Sequence, residues 1–128
     1  MLQNICIIDD NPIFLLTATK MIQLQNCAKS ICSFKNGEIA LGHLKNEYKA
    51  GADLPDLILL DINMPVMDGW QFLDALRSLN FPNLTIYLLT SSVDPADITR
   101  AKTYKMLSGY LTKPLTPEVI DSLMIEIS

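Results

Sequence analysis

Short apolar runs alternate with longer segments of helical periodicity, and this alternation repeats five times along the 128 residues. Runs rich in branched and aromatic side chains favour buried strands, whereas apolar residues at spacings of three and four favour helices. The pattern predicts strands at residues 5–8, 28–34, 57–60, 84–89 and 109–112. It predicts helices at residues 12–25, 37–49, 69–79, 95–106 and 117–127.

Proline and small polar residues mark the start of three of these helices. Proline is tolerated in the first turn because its missing N–H group has no partner there. A polar residue just before it caps the helix by accepting a bond from a free backbone N–H group. The predicted pairs of cap and proline are Asn11 with Pro12, Asp94 with Pro95 and Thr116 with Pro117.

Alternating strands and helices predict an α/β domain in which a parallel sheet is covered on both faces. Right-handed crossover connections limit the topology to a few doubly wound orders. For five strands, the flavodoxin-like (βα)5 order 2-1-3-4-5 is the best match, with its switch point between strands 1 and 3. Residues 1–128 are expected to form this one domain, without an output domain.

Polar and charged residues follow the predicted strands at the edge where such folds place their chemistry. Asp9 and Asp10 follow strand 1, and Asp61 ends the most apolar run of the chain, strand 3. Thr90 ends strand 4 and Lys113 ends strand 5 at the same edge. Because strands 1 and 3 are expected to be neighbours, the carboxylates should converge at the switch point.

Carboxylates brought together repel one another unless a cation or a proton compensates their charge. Mg²⁺ prefers oxygen ligands and is commonly bound through one or two carboxylates. Asp10 and Asp61, with a backbone carbonyl from the loop after Asp61, are the predicted ligands. Lys113 and the Thr90 hydroxyl suit phosphoryl oxygens, and Asp61 is the predicted nucleophile. The sequence therefore predicts a Mg²⁺-supported aspartyl site that accepts a phosphoryl group.

Composition narrows the class of protein further. The net charge of −4 opposes non-specific nucleic-acid binding, which needs a positive surface to displace counterions. No apolar run reaches the roughly 20 residues that cross a bilayer, and the first residues lack the basic segment of a signal peptide. A cytoplasmic protein without a membrane segment or a DNA-binding region is expected.

Cysteine and histidine offer little further chemistry. Cys6, Cys27 and Cys32 show no CxxC spacing and are expected to be reduced, buried packing residues rather than metal ligands or disulfide partners. His43, the single histidine, is expected to be solvated on the flank of a helix. With a single, solvated histidine, a Ser-His-Asp catalytic triad is not expected. Carboxylates are then the main candidates for a general base.

Taken together, these elements resemble a two-component response regulator receiver domain along essentially the whole chain. The resemblance is most specific in the segment from Asp61 to Gly69, which reads Asp-Ile-Asn-Met-Pro-Val-Met-Asp-Gly. It extends to the acidic pair, to Thr90 with the following serine, and to the stretch Gly-Tyr-Leu-Thr-Lys-Pro at residues 109–114. The order and spacing of all four elements match the family.

The resemblance implies that Asp61 accepts a phosphoryl group from a phosphohistidine of a sensor histidine kinase or a histidine phosphotransfer protein. Mg²⁺ would be held by Asp10, Asp61 and the Asn63 backbone carbonyl, with Asp9 acting through water. Thr90 and Lys113 would bind the phosphoryl oxygens. In the family the cation and these groups promote only phosphorylation of the domain itself and its slow reversal, so no further enzymatic activity is expected.

The same resemblance implies a switch. Thr90 would move toward the phosphoryl group while Tyr110 on strand 5 turns inward, and the peptide bond between Lys113 and Pro114 would be cis. The surface formed by helix 4, strand 5 and helix 5 would then bind a downstream protein target or a second copy in a homodimer. Ser91 and the segment 106–108 depart from the usual alanine and glycine, and Asn63 and Ser92 occupy positions that tune phosphoryl lifetime.

Other functions remain open at this point. A receiver domain can also serve as a phosphoryl shuttle or sink in a phosphorelay. A small haloacid-dehalogenase-like phosphohydrolase also uses a strand-end aspartate, Mg²⁺, a hydroxyl and a lysine. However, its motif reads Asp-x-Asp, where this chain has Asn63, and its acidic metal pair comes late in the chain. A degenerate receiver or a flavin-binding relative is disfavoured, since all phosphorylation residues are present and no glycine-rich phosphate loop follows strand 1.

Overall fold

The computed structural model describes residues 2–81, 84–91 and 94–127. Strands and helices alternate along the chain as the hydrophobic pattern predicts. The strands are β1 (Leu2–Ile8), β2 (Ala28–Phe34), β3 (Leu57–Asp61), β4 (Ile86–Thr90) and β5 (Leu107–Thr112). The helices are α1 (Pro12–Leu24), α2 (Gly37–Lys49), α3 (Gly69–Leu79), α4 (Pro95–Ala101) and α5 (Pro117–Ile127).

The strands form one parallel sheet in the order β2-β1-β3-β4-β5, which confirms the predicted flavodoxin-like topology. Ile8 of β1 is the register partner of Leu60 in β3, so the acidic residues after them emerge at the same edge. On the other side of β3, Asp61 is the partner of Leu89. The topology therefore brings the ends of β1, β3 and β4 together.

Two apolar cores lie on opposite faces of the sheet because successive strand residues point to opposite sides. In β1, Cys6 and Ile8 belong to the core under α2 and α3, whereas Ile5 and Ile7 belong to the core under α1 and α5. β3 is buried along its full length, as expected for a central strand covered on both faces.

The predicted helix caps are present. The Asn11 side chain accepts hydrogen bonds from the backbone N–H groups of Ile13 and Phe14. Asp94 accepts one from Ala96 N–H at 2.9 Å, and the Thr116 hydroxyl accepts one from the N–H of Val119 at 3.2 Å. These polar residues therefore start their helices locally, before any packing is considered.

The prediction for α4 was wrong at its carboxyl end: the helix stops at Ala101 and does not continue to Met106. The Thr103 hydroxyl donates to the Arg100 carbonyl at 2.7 Å, which competes with a further helical turn. Tyr104 then turns inward, where its ring stacks on Trp70. Packing against α3 thus ends the helix earlier than its periodicity indicated.

Strand boundaries differ from the prediction by a few residues. β1 begins at Leu2 and β5 at Leu107, both earlier than predicted, because pairing with a neighbouring strand extends them. β4 begins two residues later than predicted, at Ile86, and Thr90 is its last residue, as expected. At the other helix ends the differences are one residue or none, α1 ending at Leu24.

The cysteines are free thiols, with Cys6 and Cys27 buried and Cys32 partly exposed. His43 is exposed on α2, as expected; its side chain also contacts Glu47 one turn away, and its ring lies 4.9 Å from that of Phe34. Within the described residues, none of the helices has the length and apolar character needed to cross a membrane.

Candidate functional site

Three carboxylates converge at the edge where β1 and β3 end. Asp9, Asp10 and Asp61 each offer an oxygen, and these oxygens all lie within 4.8 Å of one another. Asp9 is fully buried and Asp61 nearly so, whereas Asp10 is exposed. Two of the carboxylates are therefore buried and one faces solvent, which suits a site that a cation or a phosphoryl donor can reach from solvent.

Backbone hydrogen bonds hold Asp9 in place. Its N–H group donates to the Phe34 carbonyl at 3.0 Å, which ties the end of β1 to β2. Its Oδ1 atom accepts a hydrogen bond from the Asn11 N–H group at 2.9 Å. Asn11 is also the cap of α1, so the turn that carries the acidic pair is fixed at both ends.

Lys113 supplies the opposing charge. Its Nζ atom lies 2.5 Å from Asp9 Oδ2 and 3.3 Å from Asp61 Oδ1. Its backbone N–H group donates to the Thr90 carbonyl at 2.8 Å, and the peptide bond to Pro114 is cis. One ammonium group therefore contacts two of the three carboxylates, which leaves the cluster with excess negative charge. That donor set fits a divalent cation with hard oxygen ligands.

The environment raises the pKa of Asp61 to about 6 from its ordinary 3.8. Burial is the largest cause, because a carboxylate loses hydration on leaving water, and the charge of Asp9 adds to it. The Lys113 ammonium opposes this rise but does not cancel it. A cation at the cluster would therefore restore the ionised, nucleophilic form of Asp61 at neutral pH.

This shift predicts how stability depends on pH in the metal-free protein. A carboxyl with a raised folded pKa binds more protons when folded, so its contribution falls as pH rises from about 4 to about 6. The loss reaches up to about 3 kcal/mol at about 1.4 kcal/mol per pKa unit. The amide of the Asp61→Asn variant does not titrate in this window. The free energy of unfolding of the variant relative to wild type should therefore rise by that amount between about pH 4 and neutral pH.

Urea unfolding of both proteins in EDTA, at several pH values across this window, measures the difference. The free-energy difference between Asp61→Asn and wild type should rise with pH and then level off. Parallel pH profiles would mean that Asp61 titrates normally in the folded protein. The substitution keeps the size of the side chain, so cavity formation does not obscure the comparison.

The loop after β3 is closed by backbone and cap contacts. The Gly69 N–H group donates to the Ile62 carbonyl at 2.8 Å. Asp68 and Gln71 form a reciprocal capping box at the start of α3, with hydrogen bonds of 2.8 and 2.9 Å. Val66 adopts a left-handed conformation with φ of 70°. The turn therefore holds a tight shape directly beside Asp61.

The remaining predicted residues lie in the loop after β3 and along a cavity under α4. Asn63 lies in the loop two positions after Asp61 with an exposed side chain. Thr90 and Tyr110 both line a small, largely apolar cavity under α4. Tyr110 is 44% exposed, so its ring is not folded into that cavity. Ser92 lies outside the described residues.

Two aromatic features were missed by the sequence interpretation. Lys113 Nζ lies 4.6 Å from the centroid of the Phe14 ring, in a cation–π arrangement. Trp70 and Tyr104 stack at 5.5 Å between ring centroids, and the Tyr104 hydroxyl donates to Asp74 at 2.8 Å. The sequence did not single out Phe14, because its contact with Lys113 depends on how α1 packs against the end of β5.

A family model described as the response regulator receiver domain matches residues 5–124. The chain therefore belongs to the response regulator receiver domain family, the receiving module of two-component signalling. Domains of this family are signalling switches and generally not enzymes, and they bind Mg²⁺ in an acidic pocket. The haloacid-dehalogenase interpretation finds no support.

Relatives in other proteins carry the same domain in different settings. The chain is 34% identical over 113 residues to the sensor histidine kinase CheAY of Helicobacter pylori, covering 84% of this chain and 13% of that protein. It is 32% identical over 115 residues to the nitrate/nitrite response regulator NarL of Escherichia coli, covering 90% and 50%. The chain thus spans half or less of the length of these relatives.

Solved structures share the fold. A two-component response regulator from Cytophaga hutchinsonii superimposes with a TM-score of 0.89 at 30% identity, covering 98% of this chain and 96% of that one. The chemotaxis protein CheY4 of Vibrio cholerae superimposes with a TM-score of 0.81 at 23% identity, covering both chains fully. The second likeness bears on the fold alone.

Proposed function

We propose that Asp61 is the phosphoacceptor of a two-component signalling switch and receives its phosphoryl group from a histidine kinase or histidine phosphotransfer protein. The observation that carries this proposal is the convergence of Asp9, Asp10 and Asp61 with Lys113 at the end of β3. A buried carboxylate beside a metal-binding acidic pair and an ammonium group has what an in-line phosphoryl acceptor needs.

Asp10, Asp61 and the Asn63 carbonyl would hold Mg²⁺, and Asp9 would act through a water molecule. Asp10 is the exposed member of the cluster and Asp61 the nearly buried one, so together they can bridge solvent and interior. The cation supplies charge neutralisation for an incoming phosphoryl group. The excess of carboxylates over ammonium groups supports this assignment, since Lys113 alone does not balance them.

The residues of the chain then divide the chemistry. An Asp61 carboxylate oxygen attacks phosphorus, the P–N bond of the phosphohistidine breaks, and its electron pair stays on the imidazole. Lys113, already within 3.3 Å of Asp61, stabilises charge on the phosphoryl oxygens as an acyl phosphate forms. The Thr90 hydroxyl donates a hydrogen bond to another of these oxygens.

Coupling to a partner surface would pass through Thr90 and Tyr110. Both line the apolar cavity under α4, together with Ile98 and Ala101 of that helix. Its volume is about 10 Å³, room for about one water molecule and far too small for a tyrosine ring. Tyr110 can turn inward only if α4 shifts, which would alter the surface formed by α4, β5 and α5.

That surface would bind a downstream protein target or support self-association of the chain. The cavity favours a switch over a simple phosphoryl shuttle, because a shuttle requires no coupling between Asp61 and α4. Phosphoryl transfer from the chain to a second histidine protein, without any change in partner binding, would instead favour the shuttle.

The test is phosphorylation by a small donor. The protein is incubated with Mg²⁺ and acetyl phosphate, and its intact mass is measured with an EDTA control alongside. One phosphoryl group should be gained only when Mg²⁺ is present. If this chain took up no phosphoryl group from either acetyl phosphate or a phosphorylated histidine kinase, the proposal would be wrong. Multiple-turnover hydrolysis of small phosphate esters would also contradict it.

Asp10→Ala should mainly weaken Mg²⁺ binding. Removing one charged ligand while leaving Asp61 in place should raise the Mg²⁺ concentration at half-maximal phosphorylation by at least about tenfold. Saturating Mg²⁺ should restore much of the uptake. The matched control is Asp53→Ala, which makes the same change in the exposed loop between α2 and β3. If both variants needed the same Mg²⁺ concentration for half-maximal phosphorylation, Asp10 would not be a Mg²⁺ ligand.

A further inference from the structure

Two cysteines lie side by side on the sheet, away from the acidic cluster. Cys6 of β1 and Cys32 of β2 are direct register partners in parallel strands. Both side chains are on the face covered by α2, since Cys6 belongs to that core and Cys32 packs against it. Adjacent strands are about 4.8 Å apart, which lies within the range of Cα separations seen in disulfides.

The two thiols differ in access. β2 is the edge strand of the sheet, and Cys32 is partly exposed on it. Cys6 is fully buried one strand further in. A small oxidant therefore reaches Cys32 first, while Cys6 stays shielded beside it. Because β2 has a neighbour on one side only, it can move toward β1 more easily than a central strand can.

The groups around the pair favour the same division of roles. A hydrogen bond from the Cys6 thiol lowers the pKa of Cys32, and the Asn4 side chain contributes to this lowering. Burial of Cys32 and the nearby Glu47 carboxylate oppose it. The pKa of Cys6 is raised well above its ordinary value, by its contact with Cys32 and then by burial. Cys32, the more accessible of the two thiols, is thus the one expected to ionise to the attacking thiolate.

We propose that Cys32 and Cys6 form a peroxide-sensitive dithiol that closes to an intramolecular disulfide between β2 and β1. The Cys32 thiolate attacks hydrogen peroxide: an S–O bond forms, the O–O bond breaks and hydroxide leaves, giving a sulfenic acid. The Cys6 sulfur then attacks the Cys32 sulfur: the S–S bond forms, and the oxygen leaves with both protons as water. Peroxide is the oxidant, and both sulfur atoms are oxidised.

The chain provides its own control in Cys27. This thiol is buried in the core on the opposite face of the sheet, and burial raises its pKa. Cys27 precedes β2 and lies on the other side of the sheet from Cys6 and Cys32. It should therefore stay reduced under conditions that oxidise Cys32. A general sensitivity to peroxide would oxidise all three thiols, whereas oxidation of the proposed pair would leave Cys27 reduced.

The experiment treats the folded protein with hydrogen peroxide, blocks the remaining thiols with iodoacetamide and maps the peptides by mass spectrometry without reduction. The expected product has lost about 2 Da before blocking, carries one alkylated cysteine at Cys27, and gives a peptide in which Cys6 and Cys32 are linked. Added dithiothreitol should reverse the change. The wild-type map decides the matter without relying on any variant.

Three single variants sharpen the result. Cys32→Ser and Cys6→Ala should each abolish the linked peptide, whereas Cys27→Ser should retain it, with folding of each checked by circular dichroism. Oxygen addition at Cys32 without linkage in wild type would overturn the proposal. So would covalent dimers through Cys32, or oxidation of Cys27 at the same rate.

Discussion

Asp61→Asn is expected to abolish phosphoryl uptake from acetyl phosphate in the presence of Mg²⁺. The amide keeps the size and the burial of the side chain but has no carboxylate oxygen to attack phosphorus. The loss should be roughly a thousandfold or more, as is usual when a nucleophile is removed. Intact-mass measurement over time, on wild type and variant side by side, gives the rates directly.

The fold of this variant should be intact. At neutral pH the substitution also removes an ionised group whose burial is unfavourable, so resistance to urea in EDTA should rise, as the raised pKa of Asp61 predicts. Asp53→Asn is the matched control: it makes the same chemical change at an exposed residue outside the cluster and should be phosphorylated at the wild-type rate. Modification of Asp61→Asn at an ordinary rate, or mapping of the phosphoryl group to Asp9 or Asp10, would refute the assignment of Asp61.

Gly69→Ala should disrupt the structure beside the phosphoacceptor. A Cβ atom at Gly69 would lie 2.6 Å from the Asp61 carbonyl oxygen and 3.0 Å from the Ile62 Cα atom. Both neighbours are backbone atoms, so no flexible side chain can move aside. The start of α3 or the end of β3 must shift, which should reduce stability by at least about 2 kcal/mol. Phosphoryl uptake should fall as well, because Asp61 moves with its backbone.

Gly42→Ala is the control for this prediction. Gly42 lies inside α2, is exposed, and a Cβ atom there would meet nothing within 4 Å. Replacing glycine by alanine inside a helix usually stabilises it by about 1 kcal/mol. Urea unfolding should therefore move the two variants in opposite directions. If Gly69→Ala matched wild type in both stability and phosphorylation rate, the tight contact between α3 and β3 would not matter for the site.

Much of the fold was predictable because its signals are local. A polar cap such as Asn11 followed by Pro12 starts a helix through bonds within a few residues. The apolar run that ends at Asp61 indicated a central strand because both of its faces are buried. α4 is the counterexample: its end depends on the stacking of Tyr104 on Trp70, residues far apart in the chain.

The candidate site divides in the same way. Sequence order placed Asp9, Asp10 and Asp61 at strand ends, and the rules of parallel topology predicted that they would meet. The contact of Lys113 with Asp9 and Asp61, and the raised pKa of Asp61, could not be predicted in this way. They depend on the depth of burial and on distances between side chains from different strands.

The sequence by itself determined the succession of strands and helices, the helix starts, the doubly wound topology and the edge on which the acidic residues lie. The tertiary structure decided where α4 ends, how the Lys113 charge is shared between carboxylates, and that Cys6 faces Cys32. The physical reason is that periodicity fixes which face of an element is buried. Register, burial depth and side-chain distance between elements arise only when those faces pack together.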